Sequence, residues 1–361
     1  MDKPTIIILS KRWKHHTSSG GYDKLIDDLN SINISPSVSE KYLFSLSVRK
    51  RVLKKIIPSV QYLNGYNLND MAAEFSCFRT ARKTDKSVLH ALYGEDQLLF
   101  LLKFRKHLKS ALVATYHLPA ESPFMKRVLK TDYYNRLKAL DAAIVVSRSL
   151  ISDYQNWVGK ENVFFVPHGI DCDVFKPAQT KKENQTNYLN IITVGGHGRD
   201  WDTLHEVIKN FIRNLNIKFT IVGPAKSADM FSKYPNVNFL TGIEEYKLIE
   251  LYQKADVAFI PVTYATANNS LLESLACGTP VISTNTGGIP DYLDEKCGWL
   301  LPPRNSDDAV KLIESLLRDE NHLRDKEGGA RKKAIEFDWP MIANKMSEVY
   351  KHAYGNFQKN R

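Results

Sequence analysis

Short apolar runs alternate with helix-patterned stretches along nearly the whole chain, and this rhythm limits the fold more than any other feature. In the first half, residues 5–10, 87–93, 111–115, 142–146 and 163–166 read as buried strands, with helical patterns at 22–29, 97–108, 124–137 and 149–157. Strands that alternate with helices form parallel βαβ units. Residues 176–188, KPAQTKKENQTNY, are polar and almost free of aliphatics, so they read as a linker. The same rhythm then restarts, with strands at 189–194, 218–222, 237–240, 257–261 and 281–283 and helices at 202–211, 228–234 and 247–254. A last helix, 341–354, follows Phe337-Asp338-Trp339-Pro340. Two doubly wound α/β domains in tandem are predicted, with a ligand between the carboxyl ends of the strands of both sheets, in the interdomain cleft.

The length of 361 residues suits two domains that each bury a core. A hydrophobic fraction of 43% and a charged fraction of 25% are ordinary for a globular protein, and no stretch approaches the roughly 20 apolar residues that span a bilayer. The apolar run near the N-terminus is too short for a signal sequence and lacks a small-residue cleavage site behind it, so it reads as a first strand. Cys77, Cys172, Cys277 and Cys297 are far apart without CxxC pairing, as expected of reduced, buried thiols in a cytoplasm.

Charge is placed unevenly. Residues 1–140 carry 24 Lys and Arg against 12 Asp and Glu, so the whole net charge of +10 arises in the N-terminal part. It clusters at 11–16, 49–55, 79–83, 103–109 and 126–127. Such a face attracts polyanions such as anionic lipid headgroups, although any one cluster fits a solvated helix face equally well. Residues 43–63 mix Leu, Val, Ile and Phe with five basic residues; the stretch fits an interfacial helix on an anionic membrane or a core-packed helix with a basic outer face. No nucleic-acid-binding motif or interleaved aromatic platform accompanies the charge, so no nucleic-acid partner is expected.

Residues 266–290, TANNSLLESLACGTPVISTNTGGIP, carry the densest chemical signal. Asn269 or Ser270 suits a helix cap, and the first turn behind it presents unpaired backbone amides to an anion. Glu273 is expected in that first turn, where its carboxylate can accept hydrogen bonds from a diol such as ribose. Gly20-Gly21 after the first strand leaves room for a phosphate or sugar against the backbone.

Together these stretches carry a resemblance. Ser19-Gly20-Gly21, Thr115-Tyr116-His117, VVSRSL, VPHGIDCDVF, VGGHGRD, IVGP, LYQKADVAFIP, LLESLACGTPVIST, GGIPD and the closing FDW, in this order, resemble the GT-B fold glycosyltransferases of family 4, also called group 1. The likeness is weak between about residues 32 and 86. It implies residues 1–172 as a Rossmann-like acceptor-binding domain, 173–338 as a Rossmann-like nucleotide-sugar-binding domain, and 339–361 as a helix packing back toward the first. It also implies a retaining, metal-independent transfer from a nucleotide-diphosphate sugar to a glycan or lipid-linked acceptor, with no cofactor. The implied setting is the cytoplasm, at the inner face of a membrane, in polysaccharide or glycolipid synthesis.

The resemblance assigns residues as well. Arg199, His117 and Glu273 are the catalytic candidates: Arg199 grips the diphosphate, His117 stands near the transferred sugar, and Glu273 matches the second acid of the E-x7-E pattern. Gly20, Gly21, Gly195, Gly196, His197, Asn268, Asn269, Ser270 and Leu271 join Glu273 around the donor, and Gly242 and Ile243 read the base. Glu95, Asp96 and His168 are candidates for the acceptor. Two departures stand out. Ala265 occupies the position of the first acid, and Gly196 leaves an expected Arg position empty. These departures keep two other readings open: a binding or scaffold subunit without turnover, and a nucleotide-sugar epimerase.

Overall fold

The computed structural model describes residues 3–11, 21–35, 66, 68–128, 133–179, 188–319 and 321–359. Contacts divide the chain into two compact units. One contains Gly21–His168 with the N-terminal strand and Pro340–Arg361; the other contains Gly169–Trp339.

In the first unit, six strands form one sheet: β1 (Thr5–Leu9), β2 (Ser31–Ile34), β3 (Ser87–Ala91), β4 (Ala111–Tyr116), β5 (Ala142–Val145) and β6 (Val163–Phe165). Their order is β2-β1-β3-β4-β5-β6, and every pairing is parallel. Alternate residues point to opposite faces. Ile7, Leu9, Leu89, Ala91, Leu112 and Ala114 thus share a core with Ala73, Cys77 and Ala81 of the helix Leu68–Lys83. On the other face, His90 is fully buried between Thr115 Oγ1 and the hydroxyl of Tyr350, both at 2.8 Å. Tyr350 belongs to the C-terminal helix Trp339–Lys359. Burial lowers the pKa of His90 to about 3, so its imidazole is neutral and links that helix to the sheet.

The second unit holds β7 (Leu189–Val194), β8 (Ile217–Val222), β9 (Val237–Leu240), β10 (Val257–Ile260), β11 (Val281–Thr284) and β12 (Gly298–Leu301). The order β12-β11-β10-β7-β8-β9, again all parallel, is the doubly wound arrangement with its reversal between β7 and β10. Both faces are covered, so the strands are apolar almost throughout. Ile192, Val194, Ala258 and Ile260 pack toward the helix Asn269–Ala276. Ile191, Phe219, Ile221 and Phe259 pack toward Trp201–Asn210 and Ser306–Arg318. Fully burying each such side chain contributes roughly 1.5–3 kcal/mol.

The alternating pattern yields the expected fold class, and the differences are local. Residues 22–28 and 225–230 form 3-10 rather than α-helix. The 97–108 pattern contains the five-residue α-helix Leu99–Lys103 and the 3-10 turn Arg105–His107. Strands β2 and β12 and the helices Leu68–Lys83, Ser306–Arg318 and Asn321–Ile335 add elements beyond the sequence reading. Strand β2 carries little apolar pattern because two of its four residues are exposed. All four cysteines are free and buried. Among the described residues no helix is long and apolar enough to cross a membrane. The basic 43–63 stretch and Gly20 lie outside the described residues.

Candidate functional site

A doubly wound sheet opens a crevice at its carboxyl edge where the strand order reverses. In the second unit this is the space beyond β7 and β10, and three loops are laced across it. Asp200 N donates to Pro261 O at 3.0 Å and Thr263 N to Gly198 O at 2.9 Å. Gly288 N donates to Ala265 O at 2.7 Å, and Val262 N to Thr284 Oγ1 at 3.0 Å. The loops are fixed by backbone bonds. Gly195 begins the first of them at φ +95°, where a Cβ would stand 3.1 Å from both Arg199 Nη2 and Ser270 Oγ.

Arg199 lies at the centre of this lacework and is only 6% exposed. Its Nη2 donates to the carbonyl of Val194, which also accepts from Ser270 Oγ at 3.1 Å. Nε and Nη1 are buried and have no hydrogen-bond partner among the described residues. No ion pair forms with its neighbour Asp200, whose carboxylate instead caps the helix Trp201–Asn210 through Thr203. Burial lowers the arginine pKa to about 10, and nearby Tyr252 opposes the shift, so the group stays charged at neutral pH. A buried cation with two unpaired N–H groups is costly, and an anion supplied from outside would remove that cost.

The helix Asn269–Ala276 begins beside Arg199. Asn268 is its cap, accepting from Leu271 N at 3.1 Å, in place of the expected Asn269 or Ser270. The reason is that the Ser270 hydroxyl is taken by Val194 O, while Asn269 is exposed within the first turn. Capping one residue earlier moves Glu273 into the second turn, so the expectation of a first-turn acid is corrected. Glu273 is 6% exposed and Oε2 accepts from the hydroxyl of Tyr252 at 2.9 Å. Burial raises its pKa to about 7, and the bond from Tyr252 only partly offsets this. At the far end, Arg331 donates to the carbonyls of Ala276 and Phe175 at 2.8 Å and of Cys172 at 2.9 Å, holding the helix C-terminus in place.

The remaining donor candidates divide. Gly196 lines the same loop, where a Cβ would press on the Pro224 ring at 2.9 Å. His197 is exposed, and the structure gives it no partner role. Gly242, at φ +62°, and Ile243 follow β9, which lies two strands from β7, a separation of roughly 9–10 Å. Ile243 packs against the core that contains Leu248 and Tyr252. Among the described residues no group of three or more His, Cys, Asp or Glu could hold a metal ion.

The first unit gathers its candidates at the carboxyl edge of its own sheet. His117 follows β4; its backbone N donates to Glu95 Oε1 at 2.9 Å, and its Nδ1 is 3.4 Å from the same oxygen. The His117 ring stacks on Tyr93 at 4.9 Å and meets the edge of Tyr22 at 5.0 Å. Tyr22 also meets the ring of His168 at 5.3 Å. Glu95 Oε1 is thus committed to the loop of His117, while its Oε2 is buried without a hydrogen-bond partner among the described residues. Asp96 is half-buried, and burial raises its pKa to about 6 against the pull of Lys11. Gly21, at φ +107°, precedes the 3-10 turn that carries Tyr22. Sequence reasoning missed Tyr22, Tyr93 and Tyr252. The first two adjoin motifs already singled out, whereas Tyr252 lies in an amphipathic helix where a buried tyrosine looks like core.

Two parallel, doubly wound units, one with a buried and incompletely paired guanidinium among glycine loops at its strand reversal, define a two-unit doubly wound α/β protein. Comparison with known proteins narrows the class. Residues 175–333 match the model of glycosyl transferases group 1, and residues 40–174 match that of glycosyltransferase family 4. The chain belongs to the GT-B glycosyltransferases of group 1 and family 4. It is 26% identical over 205 residues to the MMP alpha-(1->4)-mannosyltransferase of Mycolicibacterium hassiacum, a match covering 54% of this chain and 50% of that one. With the sulfoquinovosyl transferase SQD2 of Arabidopsis thaliana it shares 27% over 210 residues, covering 54% and 41%. These matches span half or less of the relatives' own length. The fold matches the Anabaena HepE protein in complex with UDP-glucose, with a TM-score of 0.71 at 15% identity, covering 96% of this chain and 99% of that one. Sucrose-phosphate synthase from Thermosynechococcus elongatus gives a TM-score of 0.68 at 18% identity, covering 98% and 100%.

Proposed function

We propose that this chain is a retaining glycosyltransferase that moves a hexosyl group from a nucleotide-diphosphate sugar to a hydroxyl of a glycan or lipid-linked acceptor. The observation that carries this reading is the buried guanidinium of Arg199, with Nε and Nη1 unpaired, beside the start of the helix Asn269–Ala276. The family membership and the UDP-glucose bound by the HepE neighbour support the same reading.

In this reading the diphosphate lies against Arg199, Ser270 and the loop that starts at Gly195. The bond from the anomeric carbon to the phosphate oxygen breaks as the acceptor oxygen bonds the same carbon from the departing face. The acceptor proton passes to the leaving phosphate oxygen. Arg199 and the helix N-terminus supply the charge stabilisation, so in this reading the step requires no metal ion. Glu273 takes the ribose hydroxyls, Gly242 and Ile243 read the base through the main chain, and His117 contacts the transferred sugar. Glu95, Asp96 and His168 serve the acceptor. The setting is the cytoplasmic side of a membrane, in surface polysaccharide or glycolipid synthesis.

A thermal-shift panel of UDP, GDP and ADP sugars tests the donor: one of them should raise the melting temperature. No shift with any of them would sink the reading. Ala265 and Gly196 favour the second reading, a donor-binding subunit without turnover. Donor cleavage or transfer by the purified chain would exclude it, and isomerisation of the donor without any acceptor would identify an epimerase instead.

A further inference from the structure

A cavity of about 610 Å³ opens in the first unit, away from His117. Its walls are the segments that precede three strands: Arg105 to Lys109 lead into β4, Lys138 to Asp141 into β5, and Asn162 into β6. It therefore sits at the amino edge of the sheet, whereas Glu95 and His117 stand at the carboxyl edge. The six residues of β4 separate the two edges by roughly 20 Å. The volume lies within the range of small-molecule sites.

The walls are anchored, and their charge is one-sided. Arg105 Nη2 donates to Asp141 Oδ2 at 2.6 Å, and Nε donates to Ala139 O at 2.9 Å. The same Asp141 oxygen accepts from Leu112 N at 2.7 Å. The Arg105 guanidinium lies over the ring of Phe357 at 5.4 Å, and Asn356 Nδ2 donates to Asn162 Oδ1 at 2.8 Å, so the C-terminal helix closes one side. Around this frame stand Arg82, Lys106, His107, Lys109 and Lys138. Asp141 is the one acid in the lining, and Arg105 already uses it. Among the described residues Lys106, Lys109 and Lys138 form no ion pair. Like charges gathered around one concavity repel one another, and a multiply charged anion would offset that repulsion.

We propose that this cavity is a second anion site, distinct from the loops around Arg199, and that it binds a group carrying two or more negative charges of the phosphate type. Arg105 spends three of its five N–H groups on Ala139, Leu108 and Asp141 and shapes the floor. Lys106, Lys109 and Lys138 supply the charge, and three lysines match a pyrophosphate-like group better than a lone carboxylate. Two sources fit the shared chemistry: a soluble phosphorylated molecule, and the headgroup of an anionic lipid.

The test uses the full chain with inorganic pyrophosphate, followed by hydrogen-deuterium exchange. Protection of residues 105–110 and 138–141 is expected; protection confined to 195–200 and 268–272 reports the other site and counts against the proposal. In parallel, co-sedimentation compares cardiolipin vesicles, whose headgroup carries two phosphates, with phosphatidylcholine vesicles. The exposed triple variant K106E/K109E/K138E should keep the parent melting temperature and lose at least tenfold in affinity. Pyrophosphate binding lost in the variant identifies a soluble ligand, and vesicle binding lost in the variant identifies a headgroup. Should that variant fold poorly, K106Q/K138Q replaces it, with an expected loss of several-fold. The proposal is overturned if neither probe binds, or if binding survives these substitutions unchanged.

Discussion

Arg199→Met separates a structural arginine from one held ready for an anion. Methionine matches the unbranched stem and removes the charge. One bond to Val194 O is lost, at a cost of about 1 kcal/mol, and Ser270 still satisfies that carbonyl. Against this, two buried N–H groups without partners disappear, each relieving about 1–3 kcal/mol. The free protein is therefore expected to gain about 1–5 kcal/mol, read as a higher urea midpoint at unchanged slope. Diphosphate binding should move the other way. Two charge-assisted hydrogen bonds of about 1.5–3 kcal/mol each are lost, which is roughly 10²- to 10⁴-fold in affinity. Calorimetric titration with UDP, GDP and ADP reads this directly. A variant that is less stable than the parent while binding the diphosphate equally well would refute the reasoning, because Arg199 would then serve the fold alone.

Gly195→Ala places a Cβ at φ +95° and 3.1 Å from Arg199 Nη2, so it should cost about 1–3 kcal/mol and weaken diphosphate binding, measured by urea titration and calorimetry. Glu273→Gln tests the pH dependence. With a folded pKa near 7, above the usual 4.5, the native state keeps a proton that the unfolded chain releases, so parent stability falls as pH rises through that window. The glutamine variant should exceed the parent by about 3 kcal/mol at pH 8 and match it near pH 4, as urea midpoints at the two pH values will show. Arg331→Met strips three carbonyls of their donor and should cost about 3–5 kcal/mol, again by urea titration.

The strand and helix rhythm was legible because both faces of each sheet are covered, which forces continuous apolar runs such as Ile191–Val194 and Val257–Ile260. The glycines around the candidate site were legible too, since Gly195 and Gly198 both adopt positive φ. Polar side chains that spend themselves on the fold were not. Asn268 rather than Asn269 caps the helix because a serine hydroxyl prefers a carbonyl on β7, a strand 76 residues away in sequence. The burial of Glu273 and its bond to Tyr252 depend on a helix 21 residues upstream, which no local pattern reveals. The lysine-lined cavity was visible only as scattered basic clusters. Its form depends on three strand entries and the C-terminal helix meeting at one edge.

The departure at Ala265 gains a physical meaning from the loops around it. Its carbonyl accepts from Gly288 N at 2.7 Å, and a Cβ on Gly287, at φ +55°, would lie 2.3 Å from that same oxygen. The backbone at 265 is therefore locked against the glycine turn, and a side chain placed there would be held at a defined position rather than on a loose loop. Ala265 itself is only half-buried, packed against the core of the Asn269–Ala276 helix. A carboxylate at this position would add negative charge near a diphosphate, while Arg199 is the cation that the three laced loops enclose. With alanine there, the loop from Val262 to Asn268 carries no carboxylate.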